Sequence, residues 1–307
     1  MSVHFGGTVY ASGIPLGPVS AGGRMIWGNI YFVDGDSGSD SNSGTDRNAP
    51  LLTINAAYNK CTDGHDDYIF VRGRLDEALI ITKSKLHIIG CSYGPAMQGM
   101  ARWNNASTGA VSHTCQIKAS DVEIAGLRIG GGSGGAISES YSPIYIGGEN
   151  ITSAHRCWIH HCNVGDYDQD HSSALIGYGI AIDGSYQNVI EHNYVTYCDS
   201  GIAIIVNSSG ATLSSNHNII QHNMVVNCDN GIYVREGAYG QVYHNYVDKG
   251  DAQNDDYGIW VNGTRATVVE NWITGGYTKP WGDASSIGHN NYEDTTSAAI
   301  VLAQSEA

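Results

Sequence analysis

The chain lacks several things that would have directed it elsewhere. It has no apolar run near the ~18 residues of a membrane-spanning helix, and its opening, MSVHFGGTVYASGIPLGPVSAGGRMIWG, has no basic cluster followed by an apolar stretch. No secretory signal and no membrane partner are therefore expected. Basic residues are scarce: 15 Lys and Arg stand against 30 Asp and Glu, a formal net charge of -15. Such a surface repels nucleic acid, anionic lipid and acidic polysaccharide unless a cation intervenes, so no nucleic-acid partner is expected either. The seven cysteines, Cys61, Cys91, Cys115, Cys157, Cys162, Cys198 and Cys228, contain no C-x-x-C pair. Cys157 and Cys162 have no flanking ligand pairs, which argues against a zinc ribbon. Buried free thiols are expected, since free Cys packs as a small hydrophobe. Phe is rare, at 3 residues against 19 Tyr and 6 Trp, a choice of rings that join an apolar face to a polar edge.

What is abundant is glycine, 40 residues in 307, well above the usual ~7%, and what recurs is a motif. VIEHNYVTYCDSGIAI from Val189 and IIQHNMVVNCDNGIYV from Ile219 are nearly the same sentence. Five copies align: WIHHCNVG from Trp158, VIEHNYVT from Val189, IIQHNMVV from Ile219, QVYHNYVD from Gln241 and VVENWITG from Val268. The column His161, His192, His222, His244, Glu270 advances by 31, 30, 22 and 26 residues. A period this variable suits a coil whose turns share strands and differ in loops. Gly-Ile recurs at Gly179, Gly201, Gly231 and Gly258, each opening an alternating stretch such as GIAI or GIWV. Alternation at period two marks strands with one buried face. Such units bury a continuous core only by stacking.

The Asn column (Asn193, Asn223, Asn245, Asn271) and the Gly-Ile column resemble the repeats of right-handed parallel β-helix proteins of the pectate-lyase-like superfamily, over roughly residues 31 to 303. The resemblance implies an all-β solenoid of roughly ten rungs. It also implies a tight turn at the Asn column, amides bonded along the stack, and a histidine column one residue before that turn. Cys162 stands in the Asn column of the first copy, so the ladder is expected to start one rung later. APLLTINAAYNKC, with Leu51, Ile54, Ala57, Tyr58 and Cys61 at helical spacing, reads as a short helix capping the open end of the coil. Residues 1–30, Gly- and Ala-rich with Pro15 and Pro18, read as an extended N-terminal arm, and 31–307 as the β-helix domain.

Candidate chemistry is set against its structural alternative. The imidazoles of His161, His192, His222 and His244 can bind transition metals or switch charge near pH 6, but stacking at the ~4.8 Å strand spacing accounts for them as a structural ladder. Asp166, Asp168 and Asp170 in GDYDQDHSS offer alternate oxygen ligands for calcium; His171 and Gly177 stand where an EF-hand needs Gly and Glu, which leaves a looser calcium site or a solvated loop. Asp34, Asp36, Asp40 and Asp46 present the same choice. Asp66-Asp67 and Asp255-Asp256 are adjacent acids, which on a strand point to opposite faces. No hydrolase signature of the superfamily is found: neither Asn-Thr-Asp nor Gly-His-Gly nor Arg-Ile-Lys occurs. Tyr233, Trp260, Trp272 and Trp281 are candidates for stacking on sugar rings or for a flat subunit contact.

A β-helix with a pliant arm, an acidic surface and no catalytic signature is similar to the β-helical virion proteins of tailed bacteriophages: capsid decoration proteins, fibres and tailspikes. That similarity implies a non-catalytic structural protein in a virion or extracellular setting, assembled as a homotrimer, attached through its arm to the capsid or another virion protein, and able to contact cell-surface polysaccharide. A polysaccharide lyase or glycosidase, and a glycan-binding adhesin without turnover, are the alternatives.

Overall fold

β-branched residues at every second position stack turn upon turn. The computed structural model describes residues 9–11, 14–16, 28–91, 100–105, 113–131, 142–148, 154–165, 176–205, 215–235, 238–250, 257–261, 266–277, 279–282 and 287–293, with 9–11, 14–16, 176, 279–282, 287–289 and 293 described by backbone alone. From Ile30 onward the strands among the described residues form three parallel sheets of ten, nine and eight strands. One turn of the coil runs Val189–Glu191 in the ten-stranded sheet, Tyr194–Thr196 in the nine-stranded sheet and Cys198–Ile205 in the eight-stranded sheet. The next turn repeats the order in register, Ile190 opposite Ile220 and Val195 opposite Val225. The fold is an all-β parallel β-helix, with ten strands in its longest sheet as the repeat count implies.

Inside, the inward positions form straight rows. Ile88, Ile124, Ile159, Ile190 and Ile220 follow one another along the ten-stranded sheet, and all are fully buried. In-register stacking sets the same side chain on its own kind at each step, which suits stiff β-branched residues. The cysteines pack within this scheme: six are buried and Cys91 is exposed, an exception to the expectation of buried thiols.

The helix cap forms at Ile54–Lys60. Thr53 is its N-cap, accepting from the Ala56 N–H at 3.1 Å, and Glu77 accepts from the Ile54 and Asn55 N–H groups at 2.7 and 3.0 Å. Ile54, Ala57 and Tyr58 face the first rung and are buried. Within the segment expected as an extended arm, Val9–Ala11 pairs antiparallel with Ile14–Leu16.

The turn between the ten- and nine-stranded sheets corrects one expectation. The residue in the left-handed region is the histidine, not the asparagine: φ is 52° at His161, 54° at His192 and His222, and 55° at His244, with Glu270 and Asn290 continuing the column. His is among the few non-glycine residues enriched there. Each asparagine follows the turn and is buried. The Asn193 N–H and Nδ2 donate to Asn223 Oδ1 at 3.0 and 3.1 Å, and Asn193 Nδ2 also donates to the Ile159 carbonyl at 2.9 Å. The pattern repeats through Asn245 and Asn271 to Asn291. At the other end the Cys162 N–H donates to Asn193 Oδ1 at 2.9 Å, so the ladder starts one rung after Cys162. A shorter companion joins Cys157, Asn188 and Asn218 at the turn entering the ten-stranded sheet.

Candidate functional site

Outward positions of the eight-stranded sheet are not an ordinary solvated face. Tyr145, Ala181, Ala203, Tyr233 and Trp260 follow one another in register on successive rungs. Tyr178 and Ile205 pack with the two alanines and with Tyr145 and Tyr233, so an apolar cluster sits outside the sheet, separate from the coil's core. Beyond it three rings form one stack: Tyr233 on Trp260 at 4.6 Å and Tyr257 on Trp260 at 4.7 Å between centroids. At the other end the Tyr145 hydroxyl donates to Asp183 Oδ2 at 2.6 Å, and Asp183 is 3% exposed. His113 lies flat on Tyr145, 4.1 Å between centroids, its Nδ1 accepting from the Ser142 N–H at 3.0 Å. Burial pushes His113 down to about 4, so it is a neutral imidazole at physiological pH. Near Tyr233, Asn230 is 8% exposed and its buried Oδ1 has no hydrogen-bond partner. Flat rings beside a carboxylate, an amide and tyrosine hydroxyls can stack on the apolar faces of sugars and bond their hydroxyls.

A second set lies on the ten-stranded flank. Glu123 bridges two imidazoles, His87 Nδ1 at 2.5 Å and His160 Nε2 at 2.9 Å. His87 Nε2 reaches Asp66 Oδ1 at 2.9 Å, and His160 Nδ1 meets His161 Nδ1 at 2.8 Å. From His161 the column runs on as stacked rings, 5.1, 5.1 and 5.0 Å apart through His192, His222 and His244, ending on Glu270 at 3.3 Å. The line is thus hydrogen-bonded from Asp66 to His161, stacked from His161 to His244 and ended by an ion pair to Glu270. Burial first, then the neighbouring His160 and His192, hold His161 below the usual imidazole range, and burial with His192 and His244 does the same for His222.

This has a pH consequence. Imidazoles whose folded pKa lies below the unfolded ~6.5 add stability that is complete above that value and is lost as pH falls toward the folded value. For His113 the window runs from ~6.5 down to about 4, and His161 and His222 act in the same direction. Asp34 and Asp67, both lowered, lose their contribution only below the carboxylate value of 3.8. The urea midpoint is thus expected to fall between about pH 7.5 and 5, before Asp34 and Asp67 are protonated, and the fall to shrink in His113→Gln. An unchanged midpoint over that range would contradict the assignment.

The sequence candidates are distributed as follows. Tyr233 and Trp260 come together on the eight-stranded sheet. Trp281 lies on the adjoining strand, opposite Ile259 and one position out of their row, which Gly282 continues. Trp272 is elsewhere, on the nine-stranded sheet, 51% exposed and 5.9 Å from Tyr292. Asp166, Asp168 and Asp170 lie outside the described residues, as do Asp255 and Asp256. Asp34 and Asp40 spend their carboxylates on nearby N–H groups: Asp34 takes those of Asp36 and Ser37 and binds Arg72, and Asp40 takes those of Leu52 and Thr53. Asp66 and Asp67 do diverge: Asp66 meets His87, while Asp67, fully buried, accepts from Thr62 and His65. Among the described residues no group of three or more His, Cys, Asp or Glu is arranged to hold a metal ion. Sequence reasoning missed Tyr145, Asp183 and Glu123. Asp183 could have been found by strand parity, two residues after Ala181 in GIAID.

No curated protein matches the chain in sequence. Among solved structures, the native GH136 lacto-N-biosidase from Eubacterium ramulus is similar with a TM-score of 0.60 at 13% identity, over 86% of this chain and 56% of that one. The chain thus spans little more than half that enzyme's length. DFA-IIIase from Arthrobacter chlorophenolicus A6 in complex with GF2 has a TM-score of 0.44 at 14% identity, over 74% and 57%. The Dettilon tailspike protein has 0.37 at 16% identity, over 87% and 61%. The family model described as a right-handed beta helix region matches residues 97–273. That is more than half of the chain, and it spans most of the rungs and the whole Asn column up to Asn271: the chain belongs to the right-handed β-helix family.

Proposed function

We propose that this protein is a β-helical rod that recognises a polysaccharide on the outer face of its eight-stranded sheet, in a virion or other extracellular assembly, as a capsid-decoration or fibre-like structural protein. The observation that carries this reading is the three-ring stack of Tyr233, Trp260 and Tyr257 on the same face as the Tyr145–Asp183 pair. Rings packed on one another lose little conformational entropy on binding, and a buried carboxylate further along the same face, held through Oδ2 by the Tyr145 hydroxyl, can fix orientation. The test is a glycan array probed with the wild type and with Trp260→Ala. Retention on at least one polysaccharide, reduced at least about tenfold in the variant with unchanged far-ultraviolet circular dichroism, supports the site. Equal retention removes it.

A second reading, a polysaccharide lyase or glycosidase, is favoured by one observation, the buried Asp183 carboxylate held by a tyrosine hydroxyl. Asp183→Asn separates the two: an enzyme loses its release of unsaturated products or reducing ends, whereas a binding protein releases none in either form. The fibre-like reading further implies attachment to the particle through residues 1–30, tested by particle binding of a chain lacking them. Native mass decides between the homotrimer of the fibre-like reading and the two-chain assembly argued below.

A further inference from the structure

Outward positions of the nine-stranded sheet form one straight row along the coil. Its first third is basic: Arg74, Arg102 and Arg128 lie in register on successive rungs. Asn163 follows in register but is buried at 3% exposure, and then the row turns apolar through Tyr194, Met224, Tyr246, Trp272 and Tyr292. Three of the chain's 15 cationic side chains thus stand in a single file on a body of net charge -15. Met224, Trp272 and Tyr292 are 43%, 51% and 41% exposed. Single exposed apolar residues are ordinary, but an unbroken file of them is not. Arg, Met, Tyr and Trp are the residues enriched in protein interfaces.

The order of the row says what fits it. We propose that this flank binds the same flank of a second copy, the two rods antiparallel about a two-fold axis through Tyr194. Turned end for end, the arginines and the aromatics complement one another: Arg74 faces Tyr292, Arg102 faces Trp272, and Arg128 faces Tyr246, while Asn163 is buried and takes no part in the contact. Each guanidinium then lies against an aromatic ring, the cation–π pairing that Arg favours. Asp248, paired in register with Val226 one row over and two residues from Tyr246, stands where Arg128 of the second copy arrives, so charge complements as well. Parallel rods would set arginine against arginine at equal height, a repulsion a three-fold bundle through this face would share. An isologous contact is also the commonest oligomer symmetry. The strip is one side chain wide and roughly 38 Å long at ~4.8 Å per rung, at the low end of specific interfaces, so the pair should be concentration-dependent. The inference stands whether or not the glycan site does.

The test is sedimentation velocity from roughly 1 to 100 μM on the full chain, with circular dichroism as the control for folding. The wild type is expected to reach a two-chain mass. Trp272→Arg places arginine opposite Arg102 and should raise the dissociation constant at least about tenfold. The exchanged variant, Arg102→Trp with Trp272→Arg, restores an Arg–Trp pair only if the rods are antiparallel, and should return to two chains. A one-chain or three-chain wild type, a Trp272→Arg variant of unchanged mass, or a folded exchanged variant that stays single would overturn the proposal. A one-chain wild type whose polysaccharide retention falls in Trp272→Arg would reassign the strip to glycan.

Discussion

Asn223→Ala is expected to destabilise the coil by about 3–5 kcal/mol, because the side chain sits in the middle of a buried ladder and its loss strands groups on both sides. Its Oδ1 accepts from the Asn193 N–H and Nδ2 at 3.0 and 3.1 Å, and its Nδ2 donates to the Ile190 carbonyl at 2.9 Å and to Asn245 Oδ1 at 3.0 Å. Alanine leaves the Asn193 N–H and the Ile190 carbonyl without these partners in a place that water does not reach. The urea midpoint followed by circular dichroism reads the effect, with the exposed Thr267→Ala as control, expected within about 0.5 kcal/mol of wild type. A solenoid is close to a chain of coupled rungs, so the transition should also broaden as the coil splits at the weakened rung. A shift no larger than the control's would mean that the amides are not holding the turns.

Gly201→Ala should cost about 3 kcal/mol, the upper end for overpacking a well-filled core. The Gly-Ile column places glycine where the strand of the eight-stranded sheet bends against the nine-stranded sheet. A Cβ at Gly201 would overlap Val225 Cγ1 and lie 2.7 Å from the Gly231 carbonyl oxygen; Gly179 and Gly231 meet Val195 and Val247 in the same way. The double variant Gly201→Ala with Val225→Ala removes one of the two clashes. It should therefore be more stable than the two single costs added together. Strict additivity would show that the glycine is required for something other than room.

These two columns were legible in the sequence because a solenoid writes the same local physics once per turn. The Asn ladder and the inward isoleucines are decided by neighbours one rung away, and the capping helix by neighbours three and four residues away along the chain. The assignment of the left-handed turn residue failed for an instructive reason. Asn and His both tolerate positive φ, and only the burial of the asparagine, which the ladder requires, pushes that backbone strain onto the histidine before it. The ladder's last member among the described residues, Asn291, was missed because IGHNNYED carries Asn290 in the histidine column and breaks the visible motif.

The candidate site was harder to read because it depends on outward positions, where register between rungs separated by loops of unequal length decides which residues meet. Tyr233 and Trp260 were within reach as aromatics, but nothing in one-letter code puts them with Tyr145, Asp183 and His113, or separates them from Trp272. The opposed order of arginines and aromatics on the nine-stranded flank is likewise invisible until the pairings are known. Its members are spread from Arg74 to Tyr292 and never adjoin in sequence.

The measurement that tests the central reading most directly is calorimetric titration of a polysaccharide retained on the array into the wild type, Trp260→Ala and Trp272→Ala. Recognition on the eight-stranded face predicts that Trp260→Ala loses at least about tenfold in affinity, or about 1.4 kcal/mol, while Trp272→Ala binds as the wild type does. Loss of binding in Trp272→Ala with Trp260→Ala unaffected would contradict it and move recognition to the nine-stranded flank.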